Sequence, residues 1–235
     1  MASPGMAGCG SATRCEACAV RMEAVCRVVG ADKLPRLAAL AACRRVDAGA
    51  ALFEQGDPAQ NVYTVTEGLL KLYKLLSDGR RQVVGFLGPG DFLGLTGGPA
   101  HAFTAEAVTP VTTCSFRRTQ FQQLMNEFPS LEREILSRAS TDLAAAQEQM
   151  LLLGRKTARE RLATFFLGMA QRTHAEGGPI DLPMGRTDIA DYLGLTIETV
   201  SRTITSLRKE GLIELPSTNE LVIRRPAELQ RVAGS

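Results

Sequence analysis

Between residues 34 and 124 apolar residues come in short runs, some alternating with polar ones: Val62-Tyr-Thr-Val65, Leu69-Leu-Lys-Leu-Tyr73 and Gln82-Val-Val-Gly-Phe-Leu87. Turn residues punctuate them at Gly56-Asp57, Glu67-Gly68, Asp78-Gly79 and Gly88-Pro-Gly-Asp91. Short strands at regular spacing, broken by Gly, Pro and Asp, predict a jelly roll or barrel. The period then changes. Pro129 suits a helix start, and no Gly or Pro follows until Gly154. Leu136, Ala139, Leu143, Ala146, Met150 and Leu153 recur at steps of three and four, as the a/d seam of a coiled coil does. Their neighbours Ser140, Asp142, Gln147, Glu148 and Gln149 are polar. So narrow a seam predicts a helix that pairs with a second copy of the chain; the plainer reading is a helix lying on its own domain. Another helical stretch, Ala158 to about Gln171, precedes a Gly177-Gly-Pro179 break.

The segment Arg186–Arg202 reads as two helices around a tight turn. Thr187 is the expected N-cap and Asp188 suits the first turn. Ala190 is small enough for a close crossing, and Gly194 follows where a positive φ is needed. Thr196 can cap the second helix, whose Val200, Ile204 and Leu207 share one apolar face. This is helix-turn-helix spacing. Glu198, Ser201 and Arg202 project together from the opposite face, with Thr196 and Thr199 beside them. Arg reads guanine, Glu accepts from cytosine, and Ser bonds several base edges. Arg208 and Lys209 suit phosphates. The plainer reading of that face is a solvated Glu198–Arg202 pair. Leu212–Leu215, the turn Pro216–Asn219 and the strand Leu221–Arg225 read as a wing, with Arg224 and Arg225 able to reach a DNA backbone.

Composition narrows the classes. The 235 residues carry 27 basic and 25 acidic side chains, so net charge alone does not announce a nucleic-acid binder. Two histidines, His101 and His174, make a histidine-based catalytic site hard to assemble, and no Ser-His-Asp set, P-loop or G-x-G-x-x-G appears. No apolar run approaches a membrane span and the N-terminus does not read as a secretory signal, so a cytoplasmic protein that is not an enzyme is expected.

In that compartment six cysteines rarely mean disulfides. Cys15, Cys18 and Cys26 form C-x2-C-x7-C in a segment (1–33) read as irregular. Two thiolates so close can chelate one centre and a third can close on it, with a fourth ligand drawn from elsewhere. Cys114 ends the β region. Four cysteines suit zinc or an iron–sulfur cluster, and spacing alone does not choose. Cys9 is expected to be no ligand, and Cys43, after an apolar run, to be a buried small hydrophobe.

Taken together, Ala158–Phe165, the E-x-x-S-R motif at Glu198, Ser201 and Arg202, and Met150–Leu153 resemble the CRP/FNR superfamily of bacterial transcription regulators, in particular its oxygen-sensing branch. The resemblance implies an α+β chain. It comprises a cluster-binding segment (1–33), a β-roll like that of cyclic-nucleotide-binding domains (34–124), a dimerisation helix (125–154) and a winged helix-turn-helix (155–235). It implies a [4Fe-4S] cluster on Cys15, Cys18, Cys26 and Cys114, destroyed by oxygen, which weakens a homodimer and releases double-stranded DNA. The implied operator is a TTGAT/ATCAA-like palindrome, and the loop Leu76–Arg80 resembles a surface offered to RNA polymerase. The seven-residue gap before Cys26 resembles alphaproteobacterial members. Enterobacterial members place an acidic residue at the position of Ala146, so dimerisation here is expected to be less tightly gated by the cluster. A family member without a cluster, relying on zinc or thiols or acting constitutively, is the alternative. A cyclic-nucleotide receptor is disfavoured and cAMP is not expected, because Pro89–Phe103 holds no arginine to meet a phosphate.

Overall fold

A computed structural model describes residues 15–95, 98–172 and 178–234. Cys9, His174 and Gly177 lie outside them. The segment 15–33, read as irregular, contains turns and a 3-10 helix, Val25–Val28. The β region was expected from residue 34, but a helix comes first, α1 (Leu34–Leu40), with Pro35 in its first turn. Leu34, Leu37 and Ala38, all buried, have the helical i, i+3, i+4 spacing that the strand reading passed over.

Eight strands follow: β1 (Ala42–Val46), β2 (Ala51–Phe53), β3 (Asn61–Glu67), β4 (Leu70–Leu75), β5 (Arg81–Leu87), β6 (Phe92–Leu93), β7 (Thr104–Ala107) and β8 (Val111–Arg117). They form two sheets, ordered β1-β8-β3-β6 and β2-β7-β4-β5. Val46, Leu52, Tyr63, Val65, Leu70 and Val111 build a core in this β-roll. A second core lies on the other face of the first sheet. There Val62 and Phe116 meet Val25, Leu34 and Leu37, together with α2 (Arg118–Glu127) and the start of α3 (Pro129–Arg155). Covering on both faces explains why Val62–Val65 are buried without interruption, where a half-exposed strand would alternate.

The remaining elements are α4 (Ala158–Arg172), β9 (Ile180–Asp181), α5 (Arg186–Leu193), α6 (Ile197–Lys209), β10 (Ile213–Ser217), β11 (Glu220–Ile223) and α7 (Pro226–Ala233). The last strands form a sheet ordered β10-β11-β9. The chain divides into two compact units. One holds the β-roll and α3 up to Asp142; the other runs from Leu143 and takes in Arg80–Val83. No helix among the described residues is long and apolar enough to cross a membrane.

Candidate cysteine site and nucleic-acid interface

Four cysteines from three places in the chain meet on the second core. Cys15 lies in a helical turn, Cys18 in the loop that follows it, Cys26 in the 3-10 helix and Cys114 in the middle of β8. All four are free and half-buried. They line one pocket, whose walls include Val25, Leu37, Phe116, Phe121 and Leu131. Burial pushes the Cys26 thiol up to about 11, and the charges of Cys18 and Cys15 add to the rise. Burial likewise takes Cys114 to about 12, with Cys15, Cys26 and Cys18 contributing. Cys15 is raised for the same reasons. Burial therefore disfavours the thiolate at Cys15, Cys26 and Cys114, and a cation in the pocket would take up that charge. Among the described residues no three Cys, His, Asp or Glu side chains converge tightly enough to share a single metal ion.

Arg21 belongs to this site, and no sequence signal marked it. Its Nη2 donates to the Val29 carbonyl at 3.3 Å, while its Nε is buried with no hydrogen-bond partner. Its charge acts on both Cys15 and Cys26. A buried donor left unpaired costs roughly 1–3 kcal/mol.

The expectation for Cys43 needs correction. It is half-buried on β1, directly opposite Cys114 on β8, and it is disulfide-bonded. The apolar run before it is helix α1, so the helical period that buries Leu37 and Ala38 ends before Cys43.

The first half of α3 clamps the cysteine segment. Arg27 Nη2 donates to Glu134 at 2.9 Å, and Arg138 Nε donates to the same carboxylate at 2.9 Å. Arg138 also donates to the carbonyls of Gly90, at 3.1 Å, and of Glu23, and the Ser130 hydroxyl donates to the Val28 carbonyl at 3.2 Å. Gly90 has φ +88°, and a Cβ there would meet the Glu23 Cβ at 2.8 Å, so only glycine admits the segment this close. Burial raises the Glu134 carboxyl, but hydrogen bonds from Arg27 and Arg138 and their charges outweigh it, and the net shift is downward.

The clamp yields a stability prediction. Glu134→Gln should cost about 2 kcal/mol at neutral pH, the scale of a hydrogen bond to a charged group. A carboxyl with a depressed folded pKa stabilises above its unfolded value, about 4.3, and loses that contribution as pH falls through the folded one. The gap between wild type and variant in urea unfolding should therefore close on acidification below pH ~4. An equal gap at pH 7 and pH 3 would refute the assignment.

In the other unit, α5 and α6 form the helix-turn-helix. Gly194 between them is left-handed, φ 61° and ψ 42°, as the turn requires. The Thr196 side chain caps α6 by accepting from the Thr199 N–H at 3.2 Å. The cap of α5 is Gly185, not Thr187, because the helix starts at Arg186 and Thr187 lies inside it. Ala190, Val200, Ile204 and Leu207 are buried as expected. Glu198, Arg202 and Arg208 are exposed, with Ser201 and Thr199 half-exposed beside them. Hydrogen bonds from the backbone and from Thr196 hold Glu198 below the usual carboxylate range. Arg202 feels that charge, with no direct ion pair between the two among the described residues. The Thr196 and Thr199 hydroxyls lie 3.1 Å apart within the cap.

Two arginines outside α6 brace it. Arg186 donates to Ser201 Oγ at 3.0 Å, and Arg159 on α4 pairs with Glu210 at the end of α6. The hydrogen bond from Arg159, then that from Ser206, takes Glu210 down to about 2. In the wing, Arg224 pairs with Glu214 and Arg225 with Glu228, so both arginines already have internal partners.

Along α3, Leu136, Leu143 and Met150 are 61–67% exposed, and Ala139 and Ala146 are exposed between them. This apolar stripe is open in the single chain. Leu153 departs from it. It is half-buried, its carbonyl accepts from Arg161 at 2.8 Å, and its side chain lies at Gly194. Leu151, 58% exposed, shows apolar surface at that end of the helix.

Residues 43–128 match the family described as "Cyclic nucleotide-binding domain", and residues 160–232 match the "Crp-like helix-turn-helix domain". The chain is 45% identical over 204 residues to the nitrogen fixation regulation protein FixK of Bradyrhizobium diazoefficiens, covering 86% of each. It is 38% identical to the transcriptional activator protein FnrL of Cereibacter sphaeroides, covering 94% of this chain and 92% of the other. Among solved structures, FixK2 from Bradyrhizobium japonicum superposes with a TM-score of 0.79 at 37% identity, over 83% of this chain and 98% of that one.

Proposed function

Because the chain belongs to the CRP/FNR family of transcription regulators, which are not enzymes, we propose that it is an oxygen-responsive cytoplasmic activator whose signal is a [4Fe-4S] cluster on Cys15, Cys18, Cys26 and Cys114. The observation that carries this reading is the meeting of four free thiols from three parts of the chain around one apolar pocket. The donor set is all sulfur, as such clusters require. The buried, unpartnered Arg21 Nε, on a side chain whose charge acts on Cys15 and Cys26, supports an anionic group at this site. A lone zinc would draw its four sulfurs to about 3.8 Å of one another, given Zn–S bonds near 2.3 Å.

When bound, the cluster supplies a centre that oxygen dismantles. The chain's part is to turn that loss into a change on α3. Cys15, Cys18, Cys26 and Cys114 would hold the cluster and so fasten the N-terminal segment to β8, and Arg27, Glu134, Arg138 and Ser130 tie the same segment to α3. Freeing the segment loosens the helix that carries Leu136, Ala139, Leu143, Ala146 and Met150. Two copies joined along that stripe place two α6 helices about one turn of DNA apart, roughly 34 Å, against a TTGAT/ATCAA-like palindrome. The turn Leu76–Arg80 is exposed and would be the surface offered to RNA polymerase.

Protein purified without oxygen should hold about four irons and four sulfides per chain and absorb in the blue, as a cluster on four cysteines requires. Air should bleach it and release a labelled palindromic duplex in parallel. A colourless, iron-free protein that binds the duplex equally with and without air would defeat the sensory part of the reading and leave DNA binding standing.

A further inference from the structure

We propose that Arg81, Gln82, Gln149 and Arg161 form a seat for α5 that sets the separation of the two recognition helices in a dimer, and so selects the spacing of the DNA half-sites. The inference rests on the reading of a homodimer on a palindrome and concerns what fixes its geometry.

All four residues lie in the unit that holds the helix-turn-helix. A helix leaves the carbonyls of its last turn without intrahelical partners. In α5 the carbonyls of Asp191, Tyr192 and Leu193 each accept from a side chain of a different element. Gln82 Nε2, at the start of β5, donates to the Asp191 carbonyl at 2.7 Å. Gln149 Nε2, on α3, donates to the Tyr192 carbonyl at 3.0 Å. Arg161 Nη1, on α4, donates to the Leu193 carbonyl at 2.8 Å, and its Nη2 donates to the Leu153 carbonyl of α3 at 2.8 Å. One guanidinium therefore joins the end of α3 to the end of α5. Arg81 holds the flank of α5. Its Nη2 donates to Asp188 at 2.7 Å and its Nε to Asp191 at 2.8 Å, two carboxylates one turn apart on one face. Asp188 is buried, and Arg81 and Asp191 are half-buried, so salt screens these pairs little.

None of the four lies on α6, so they act as positioning residues and read no base themselves. What they fix is the attitude of α5 to α3. The turn at Gly194 carries that attitude on to α6, and α3 carries the stripe along which two copies pair. In a two-fold dimer any tilt of α5 on α3 occurs twice, once on each side of the axis. The two tilts therefore add, and the distance between the two α6 helices changes with them. A stiff seat admits one half-site spacing, and a loose one admits several.

The test uses full-length protein purified without oxygen, and fluorescence anisotropy at fixed salt with three duplexes. These are the palindrome, the palindrome with one base pair inserted at its centre, and a duplex with a single half-site. The insertion moves the half-sites about 3.4 Å further apart and turns one by roughly 34°. Wild type should prefer the palindrome to the inserted duplex by roughly 5- to 150-fold, the worth of one forfeited arginine–base contact. Arg81→Ala should bind the palindrome more weakly and narrow that preference to about twofold, because a loosened head can turn to reach both half-sites. Its affinity for the single half-site should stay at the wild-type value. Should Arg81→Ala fail to fold, Gln82→Ala, which removes only neutral hydrogen bonds, should narrow the preference in the same direction. A folded variant that keeps the full wild-type preference overturns the proposal and leaves the palindrome reading intact. A variant that loses the single half-site as severely as the palindrome also overturns it, since the four residues then only support the helix-turn-helix. If wild type itself ignores the insertion, the palindrome reading fails and the proposal falls with it.

Discussion

Arg202→Ala should abolish sequence-specific DNA binding while leaving the fold and non-specific binding intact. Arg202 is exposed on α6 and pairs with no carboxylate among the described residues, so its removal uncovers no buried charge. Its guanidinium stands beside Glu198 and Ser201 on a helix capped by Thr196 and braced by Arg159 and Arg186. A bidentate contact to a base is worth roughly 1–3 kcal/mol, and a two-fold dimer makes it twice. The expected loss is therefore about 2–6 kcal/mol, or roughly 30-fold to 10⁴-fold in affinity. Fluorescence anisotropy at fixed salt, with the palindrome and a scrambled duplex, reads this directly. The palindrome should fall to the level of the scrambled duplex. Arg208→Ala, by contrast, should weaken both duplexes alike and lower the salt slope by about 1 per chain, as loss of a phosphate contact does. A variant at Arg202 that still prefers the palindrome as strongly as wild type would move base reading elsewhere on α6.

That the recognition helix could be placed from sequence follows from how locally it is specified. Ala190, Gly194, Thr196 and Val200 each meet a constraint set within a dozen residues: a close crossing, a positive φ, a cap and a buried contact. The residue that begins α5 was misplaced because Gly185 caps it through an extended backbone, with no side-chain signal. The cysteine site was half legible. The C-x2-C pair announces itself, whereas Arg21, Glu134 and Arg138 matter only because the fold brings residues 21–28 against 130–138, a separation no local pattern encodes. Cys43 was misjudged for the same reason. The run before it in sequence is apolar, but its partner across the sheet is Cys114. In α1, buried Leu34, Leu37 and Ala38 show that a helix of under two turns can hide inside a region whose other signals all belong to strands.

The largest effect on assembly should come from Leu143→Asp. Leu143 is 61% exposed in the single chain, in the stretch of α3 from Ala139 to Glu148 where every residue is exposed. Replacing it therefore costs the isolated chain little. In a paired α3 it meets its own copy, so one substitution removes two leucines from the seam and installs two like charges. Burying a leucine is worth about 1.5–3 kcal/mol, so two give roughly 3–6 kcal/mol, which weakens dimerisation at least 100-fold before repulsion is added. Sedimentation should show a monomer at micromolar concentration, and palindrome binding should fall with it because each half-site is then held alone. Ala146 makes the comparison with cluster-free wild type informative. With no acidic side chain at that seam position, cluster-free wild type should retain some dimer, and the variant should retain none even with its iron in place. If Leu143→Asp sediments as a dimer, α3 is not the pairing surface. If cluster-free wild type sediments purely as a monomer, the seam is gated by the clamp on its first half, and Glu134 and Arg138 become the residues that set the dimer's response to oxygen.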